Sequence, residues 1–300
     1  VIREDFAGAG GWSEALRQLG RTDVVGIEAD PDACATAESA GHHRVQGDVR
    51  AYPPGGPLEG YVASPPCQPL SEAAGDARLL LRQLLTAADL VAAGHHQGLA
   101  GPSPVLDARG LLSLWPLHVV RVARPGWVAL EQVRTVQPLW DRYAEHLRRW
   151  GYSCWTGRLR AELYGVPQTR QRSVLLASRL RLVTLPAATH SEPVSMRQAL
   201  PALAASGLQL RSNYGNNGVP GARGMRSLDQ PAPTITGKAT RCWWVHPDGS
   251  KARNLTHLEA AALQGFGPSY TWHGPANHRD DIIGNAVPVP MAVACLRAVL

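Results

Sequence analysis

The sequence predicts an α/β fold: a doubly wound parallel sheet built from most of the chain, with a smaller loop-rich unit towards its end. Three observations predict it. Short apolar runs alternate with helical patterns over roughly the first two-thirds, as parallel βα units do. A glycine-rich turn, Gly8-Ala9-Gly10-Gly11, separates the first of those runs from the first helix. Beyond Ser178 the texture changes, and Pro, Gly, Asn and Arg dominate Ser206–Gly249 with no sustained helical period.

In chain order, a strand near Val1–Phe6 meets the glycine turn and then a helix through Trp12–Leu19. A second strand, Asp23–Glu28, leads to a helix opened by Asp30-Pro31-Asp32, where an N-cap carboxylate precedes a proline in the first turn. His43–Gly47 is a short third strand ending at Asp48, and Gly60–Ser64 a fourth that stops at two prolines. Helices follow at Leu79–Ala93 and Leu111–Val122, then a strand Trp127–Leu130 ending in Glu131, and a helix Trp140–Trp150. Ser173–Ala177 continues the sheet; Leu255–Leu263 and Pro288–Leu300 read as helices.

Composition narrows the class. Of 300 residues, 44% are hydrophobic and 18% charged, a globular balance. No stretch approaches the ~20 uninterrupted apolar residues of a membrane span. Neither end carries a charged-then-apolar leader, so a soluble cytoplasmic protein is expected. The net charge is +6, and of the 30 cationic side chains all but Lys238 and Lys251 are arginines, which suit bidentate contacts to phosphate and guanine. The 5 cysteines, Cys34, Cys67, Cys154, Cys242 and Cys295, are scattered without a CxxC pair, arguing against a disulfide framework or a metal site. His42-His43 and His95-His96 read as surface pairs rather than metal ligands.

The chemistry-bearing residues fall on one rim. Glycines between a first strand and helix let a ligand approach the backbone, where the helix start adds a favourable field. Glu28, ending the second strand, is placed for ribose hydroxyls, and Asp48 ends the third strand on the same edge. This points to an adenosine-containing cofactor without separating a nicotinamide dinucleotide from S-adenosylmethionine. Cys67 follows the fourth strand through Pro65-Pro66, and Glu131 follows the fifth, so a thiol and a carboxylate share the rim with the cofactor site.

Here the sequence resembles the cytosine-5 DNA methyltransferases of bacterial or phage type. The carrying motifs, in family order, are Asp5-Phe6-Ala7-Gly8-Ala9-Gly10-Gly11, Pro66-Cys67-Gln68, Asp107-Ala108-Arg109-Gly110-Leu111-Leu112 and Gln168-Thr169-Arg170-Gln171-Arg172. Arg253-Asn254-Leu255 with Glu259 and Leu263-Gln264-Gly265-Phe266 follows, then Gly284-Asn285-Ala286-Val287-Pro288. The resemblance implies a Rossmann-like S-adenosylmethionine-dependent methyltransferase sheet over residues 1–177 and 273–300. Residues 178–272 would be a small target-recognition domain.

By the same resemblance Cys67 is the nucleophile that adds to carbon 6 of the flipped cytosine. Glu131 contacts its ring nitrogen 3 and amine, Arg172 holds oxygen 2, and Arg170 supports the site or a phosphate. Phe6, Gly8, Gly10 and Gly11 receive the methionine end of the cofactor, Glu28 the ribose and Asp48 the adenine amine. Leu112 closes over the ligand, and Asn285 and Val287 complete its pocket. Gln68, Ser71, Thr234, Ile235, Arg226, Lys238 and Arg241 are the expected DNA contacts. The expected partner is duplex DNA, acted on by a monomer without a metal, in a bacterial or phage-infected cell. The chain departs from the family at Glu4-Asp5, which puts charge in a nominal strand, at Gln132 in place of Asn, and at Ile282 in place of Gln. Methylation of transfer RNA, or a catalytically silent DNA-binding relative, are the alternatives. Trp243-Trp244 reads as core.

Overall fold

The computed structural model describes residues 1–66, 77–95, 99, 108–212 and 224–300. Its first strands, β1 (Ile2–Asp5), β2 (Val24–Glu28), β3 (Arg44–Gln46) and β4 (Gly60–Ala63), alternate with helices α1 (Gly11–Gln18) and α2 (Pro31–Ser39). Asp30 caps α2, its side chain accepting from the N–H groups of Asp32 and Ala33, with Pro31 in the first turn where no N–H is needed. Next come α3 (Ala77–Ala93), α4 (Ala108–Leu112), α5 (Trp115–Ala123), β5 (Trp127–Val133) and α6 (Gln137–Arg149). Then β6 (Ser153–Arg160), β7 (Gln168–Thr169) and β8 (Gln171–Ser178) follow.

Seven of these strands form one sheet in the order β3-β2-β1-β4-β5-β8-β6. Neighbours from β3 to β5 run parallel, while β8 slots antiparallel between β5 and β6. The connections therefore reverse direction between β1 and β4, and a ligand crevice belongs outside the carboxyl ends of those two strands. Alternate residues feed two apolar layers, one on each face. Val62, Trp127, Ala129, Val174 and Leu176 pack on the side of α1 and α10 (Val289–Arg297). Tyr61, Ala63, Val128, Leu130 and Leu175 pack on the side of α5 and α6.

Four details differ from the sequence expectation. The helix expected over Leu111–Val122 is two helices, because Pro116 lacks an N–H and can only sit in a first turn, so α5 starts afresh at Trp115. The fifth strand runs on to Val133, which puts Glu131 inside it, opposite Val174, rather than past its end. His42 is buried rather than at the surface, 3.5 Å from Glu14. Among the elements not anticipated are β6 and α9 (Ala276–Asn285).

Beyond Ser178, β9 (Gln209–Arg211), β10 (Met225–Ser227), β12 (Trp243–Val245) and β13 (Lys251–Asn254) make a 4-stranded antiparallel sheet in the order β10-β9-β12-β13. The remaining strand, β11 (Ala232–Pro233), pairs with β7. Helix α7 (Met196–Ala199) lies before this sheet, and α8 (His257–Leu263) follows it, opened by a reciprocal Thr256–Glu259 cap. Trp244 is fully buried, as expected, but Trp243 is half-buried between Arg211 and Lys251, whose cations lie 5.6 Å and 5.8 Å from its ring centre. The apolar layer under α1 and α10 continues without a break to Leu210 and Trp244. Among the described residues no helix is long and apolar enough to cross a membrane.

Candidate active site

A cavity of about 460 Å3 opens where the topology places it, at the carboxyl ends of β1, β2, β4 and β5, within the size range of small-molecule sites. Its floor is the turn after β1. Phe6 and Gly8 both have left-handed backbones, φ 55 and φ 50. A phenylalanine held there costs on the order of 1 kcal/mol or more, tolerated where the surroundings fix it. Ala7 supplies one such tie, its N–H donating to Ile27 O at 3.1 Å. Gly10 is left-handed too (φ 97), and Arg44, His42 and Tyr270 crowd the position a Cβ would take. A Cβ on Gly11 would run into the backbone of Val287, so α1 begins in direct contact with the turn that precedes α10.

Glu28 is locked beside this turn. One carboxylate oxygen accepts Gly8 N–H at 2.8 Å and the other Asp30 N–H at 2.9 Å. Each oxygen keeps a second lone pair for a ligand. Asp48 lines the same cavity while capping a short turn through Arg50 N–H, and it chelates the Arg50 guanidinium at 2.6 Å. That guanidinium hydrogen bond holds the Asp48 carboxyl below the usual carboxylate range. Leu112, Asn285 and Val287 supply further parts of the wall.

The other end of the cavity carries Glu131 and Arg172, joined at 2.9 Å and almost withdrawn from solvent. Adjacent antiparallel strands put them there, Val133 being paired with Arg172 across β5 and β8. Ser64, Pro65 and Pro66, leaving β4, form the wall between the two ends. Trp12 Nε1 donates to Ser64 Oγ at 3.0 Å, and Gln132 Nε2 donates to Pro65 O at 2.6 Å, while Gln132 Oε1 accepts Val133 N–H. The glutamine that departs from the family thus ties the proline segment to β5. Cys67, Gln68 and Ser71, expected next, lie outside the described residues, as do Asp107 and the asparagines at 213, 216 and 217.

Arg170 is 1% exposed and spans the carbonyls of Ile235 (2.8 Å), Gly284 (3.0 Å) and Ala286 (3.4 Å). Of the two roles expected for it, this geometry is the supporting one. Ile235 is buried and donates its N–H to Gln168 Oε1, and Thr234 donates to Thr169 O at 2.9 Å. Arg226 braces its own turn through Pro231 O and Ala232 O, whereas Lys238 and Arg241 are exposed on either side of Ala239.

The sequence reading missed the layer behind the glycine turn. Glu4 and Asp5 point to opposite faces of β1. Asp5 accepts from Arg3, Tyr61 and Trp115 at 2.8–2.9 Å. Glu4 accepts from Ser13 and lies 3.8 Å from Arg44, which itself reaches Gly8 O at 3.4 Å. Burial pushes both carboxyls up, against the pull of their arginines. Tyr270 donates to Ala9 O from the far end of the chain. An arginine in a strand as short as Arg44-Val45-Gln46 was the available signal.

The comparisons agree with this geometry. The family profile described as C-5 cytosine-specific DNA methylase matches residues 2–82, 93–220 and 206–300. Type II methyltransferase M.HgiDI of Herpetosiphon aurantiacus is 26% identical over 318 residues, covering 96% of this chain and 90% of that protein. Type II methyltransferase M.HindV of Haemophilus influenzae is 27% identical over 217 residues, 67% of this chain and 70% of that one. In fold, S. pombe Dnmt2 methyltransferase superposes with a TM-score of 0.64 at 17% identity, over 99% of this chain and 97% of that one. Entamoeba histolytica methyltransferase EhMeth does so with 0.65 at 13%, over 99% and 96%. With an α/β methyltransferase sheet, a glycine turn beside Glu28 and the Glu131–Arg172 pair in one cavity, the chain belongs to the C-5 cytosine-specific DNA methylase family and is a DNA cytosine-5 methyltransferase.

Proposed function

We propose that the protein methylates carbon 5 of a flipped cytosine within a specific duplex sequence, using S-adenosylmethionine and a covalent Cys67 adduct. One observation carries the reading. The Glu131–Arg172 pair and the Glu28 carboxylate line a single cavity, and the Ser64-Pro65-Pro66 segment, which immediately precedes Cys67 in the sequence, lines it between them. The residues fit the cofactor. A Cβ built on Gly8 meets nothing within 4 Å, so the backbone there is open to a ligand, and Glu28 offers paired acceptors to a ribose diol.

S-adenosylmethionine, when bound, supplies an electrophilic methyl group. Cytosine carbon 5 is too weak a nucleophile to take it unaided. Cys67 adds as thiolate to carbon 6, and the electron pair displaced into the ring makes carbon 5 nucleophilic. Glu131 holds ring nitrogen 3 and the amine as charge develops, and Arg172 binds oxygen 2. Once carbon 5 carries the methyl group, water takes its proton, and the electron pair left behind re-forms the 5,6 double bond and expels the Cys67 thiolate from carbon 6. The base must leave the stack first, at a few kcal/mol recovered in protein contacts. Asp48, Leu112, Asn285 and Val287 would enclose the cofactor, and Phe6, Gly8, Gly10 and Gly11 would hold its methionine end. Gln68, Ser71, Thr234, Ile235, Arg226, Lys238 and Arg241 face or support the DNA.

The test is duplex DNA carrying 5-fluorocytosine, incubated with labelled cofactor. Fluorine cannot depart as a proton does, so the active enzyme should be trapped as a covalent adduct and Cys67→Ser should not. An adduct in Cys67→Ser would remove the nucleophile from this position. Label transferred to transfer RNA but not to duplex DNA would overturn the substrate. Bisulfite sequencing of a host expressing the protein then reads the target site.

A further inference from the structure

Asp30 divides its carboxylate between two tasks. Oδ1 accepts the N–H groups of Asp32 and Ala33 at 2.9 Å and 3.1 Å, capping α2. Oδ2 lies 2.7 Å from Nε2 of His278, on α9. The Asp30 N–H is the same group that fixes Glu28. A continuous path thus runs from Glu28 through Asp30 and His278 into α9, which ends at Asn285 on the other wall. Neighbouring contacts hold this crossing in place. His273 N–H donates to Thr36 Oγ1 at 3.0 Å, Ser39 Oγ meets His273 Nε2 at 2.7 Å, and Gly274 leaves no room for a Cβ against the Asp32 carboxylate. The family resemblance gives Asp30 and His278 no role.

We propose that the Asp30–His278 pair is a positioning latch for the cofactor, tying α9 to the start of α2 so that Glu28 and Asn285 keep a fixed separation across the cavity. The inference rests on reading that cavity as the S-adenosylmethionine site. The latch is electrostatic. His278 faces Asp30 and, at 3.7 Å, Asp32 at the start of α2, and Asp281 on its own helix. Its hydrogen bond to Asp30, aided by those carboxylates, raises the imidazole pKa above the usual value, against the opposing effect of burial. The pair is therefore closed at low pH and is lost as pH rises through that raised value.

Calorimetric binding of S-adenosylhomocysteine without DNA, at about pH 6 and about pH 9, tests it on either side of the histidine range. Wild type should bind about three- to fivefold more weakly at the higher pH, the worth of a half-exposed ion pair. His278→Gln and Asp30→Asn should both bind at the weak level with the pH dependence gone. Asparagine preserves the cap, so α2 stays intact in the second variant. The double variant should lose no more than either single one. A variant that keeps the wild-type pH dependence, or losses that add in the double variant, would overturn the latch alone. Absence of binding by wild type would overturn the cofactor reading and the latch with it.

Discussion

Glu14 shows how one residue's charge can be assigned a stability and a pH range. It sits in the first turn of α1 behind the glycine turn, grasped by Arg17 at 2.7 Å, by Gln18 at 3.1 Å and by His42. Burial alone would raise its carboxyl, but the close approach of His42 and the hydrogen bonds from Arg17 and Gln18 outweigh it and push the value down to about 2. A depressed carboxyl stabilises the fold fully above its ordinary pKa of 4.5 and stops doing so as pH falls towards about 2. Glu14→Gln should accordingly cost about 1–2 kcal/mol at neutral pH and almost nothing at the acid end. Urea unfolding at several pH values reads this, and an equal cost throughout would mean that packing rather than charge is lost. The His42 contact was not legible beforehand, because it depends on how the segment between α2 and β3 lies against α1. Glu28 was legible, since an acid at the end of a second strand has its position set by chain order alone. Gln132 was visible only as a departure, and its hold on Pro65 required the register of two strands.

Among elements, the parallel strands and α1, α2 and α6 could be placed from the sequence because apolar periodicity and caps are local. β6 could not: most of Ser153–Arg160 is half-exposed, so no alternation marks it, and its place is set by β8. Helix α9 escaped for a related reason, being polar along most of its length and buried only at Asp280 and Ile282–Gly284. Its last turn packs so tightly on Thr236 and Gly237 that Gly284 has no space for a Cβ, and Gly237 is likewise closed against Asp281. Ile282, in place of the family's polar residue, is buried beside this contact and lines the cavity. Gly284→Ala therefore makes a sharp test. In a free helix the change would stabilise by about 1 kcal/mol. Here the two backbones must part, and a loss of about 1–3 kcal/mol is expected. Chemical unfolding checks it, and a stabilised variant would mean that α9 does not lie against Gly237.

For the molecule as a whole, a buried polar cluster joins β7, α8 and α9 beside the continuous apolar layer. Gln168 donates to Leu263 O and Gln264 Oε1, Gln264 donates to Ile283 O at 2.8 Å, and Arg170 closes the set through its three carbonyls. Both glutamines are completely buried. Arg170→Met should take the guanidinium from the buried carbonyls of Ile235 and Gly284, Ala286 O keeping Gln264 Nε2 at 3.3 Å, and destabilise the protein by about 3 kcal/mol, measured as a shifted urea midpoint. A near-neutral result would make the arginine dispensable to the joint. The motifs naming Gln168, Arg170 and Gln264 could be read in the sequence, but that they answer one another could not, for Gln264 lies 96 positions beyond Gln168 and 94 beyond Arg170. The contact of Gly11 with Val287 has a consequence for how the enzyme is made. The ribosome delivers the glycine turn well before the wall formed by Asn285 and Val287. A chain still being synthesised, or one ended by a premature stop before Asn285, lacks one side of the cavity.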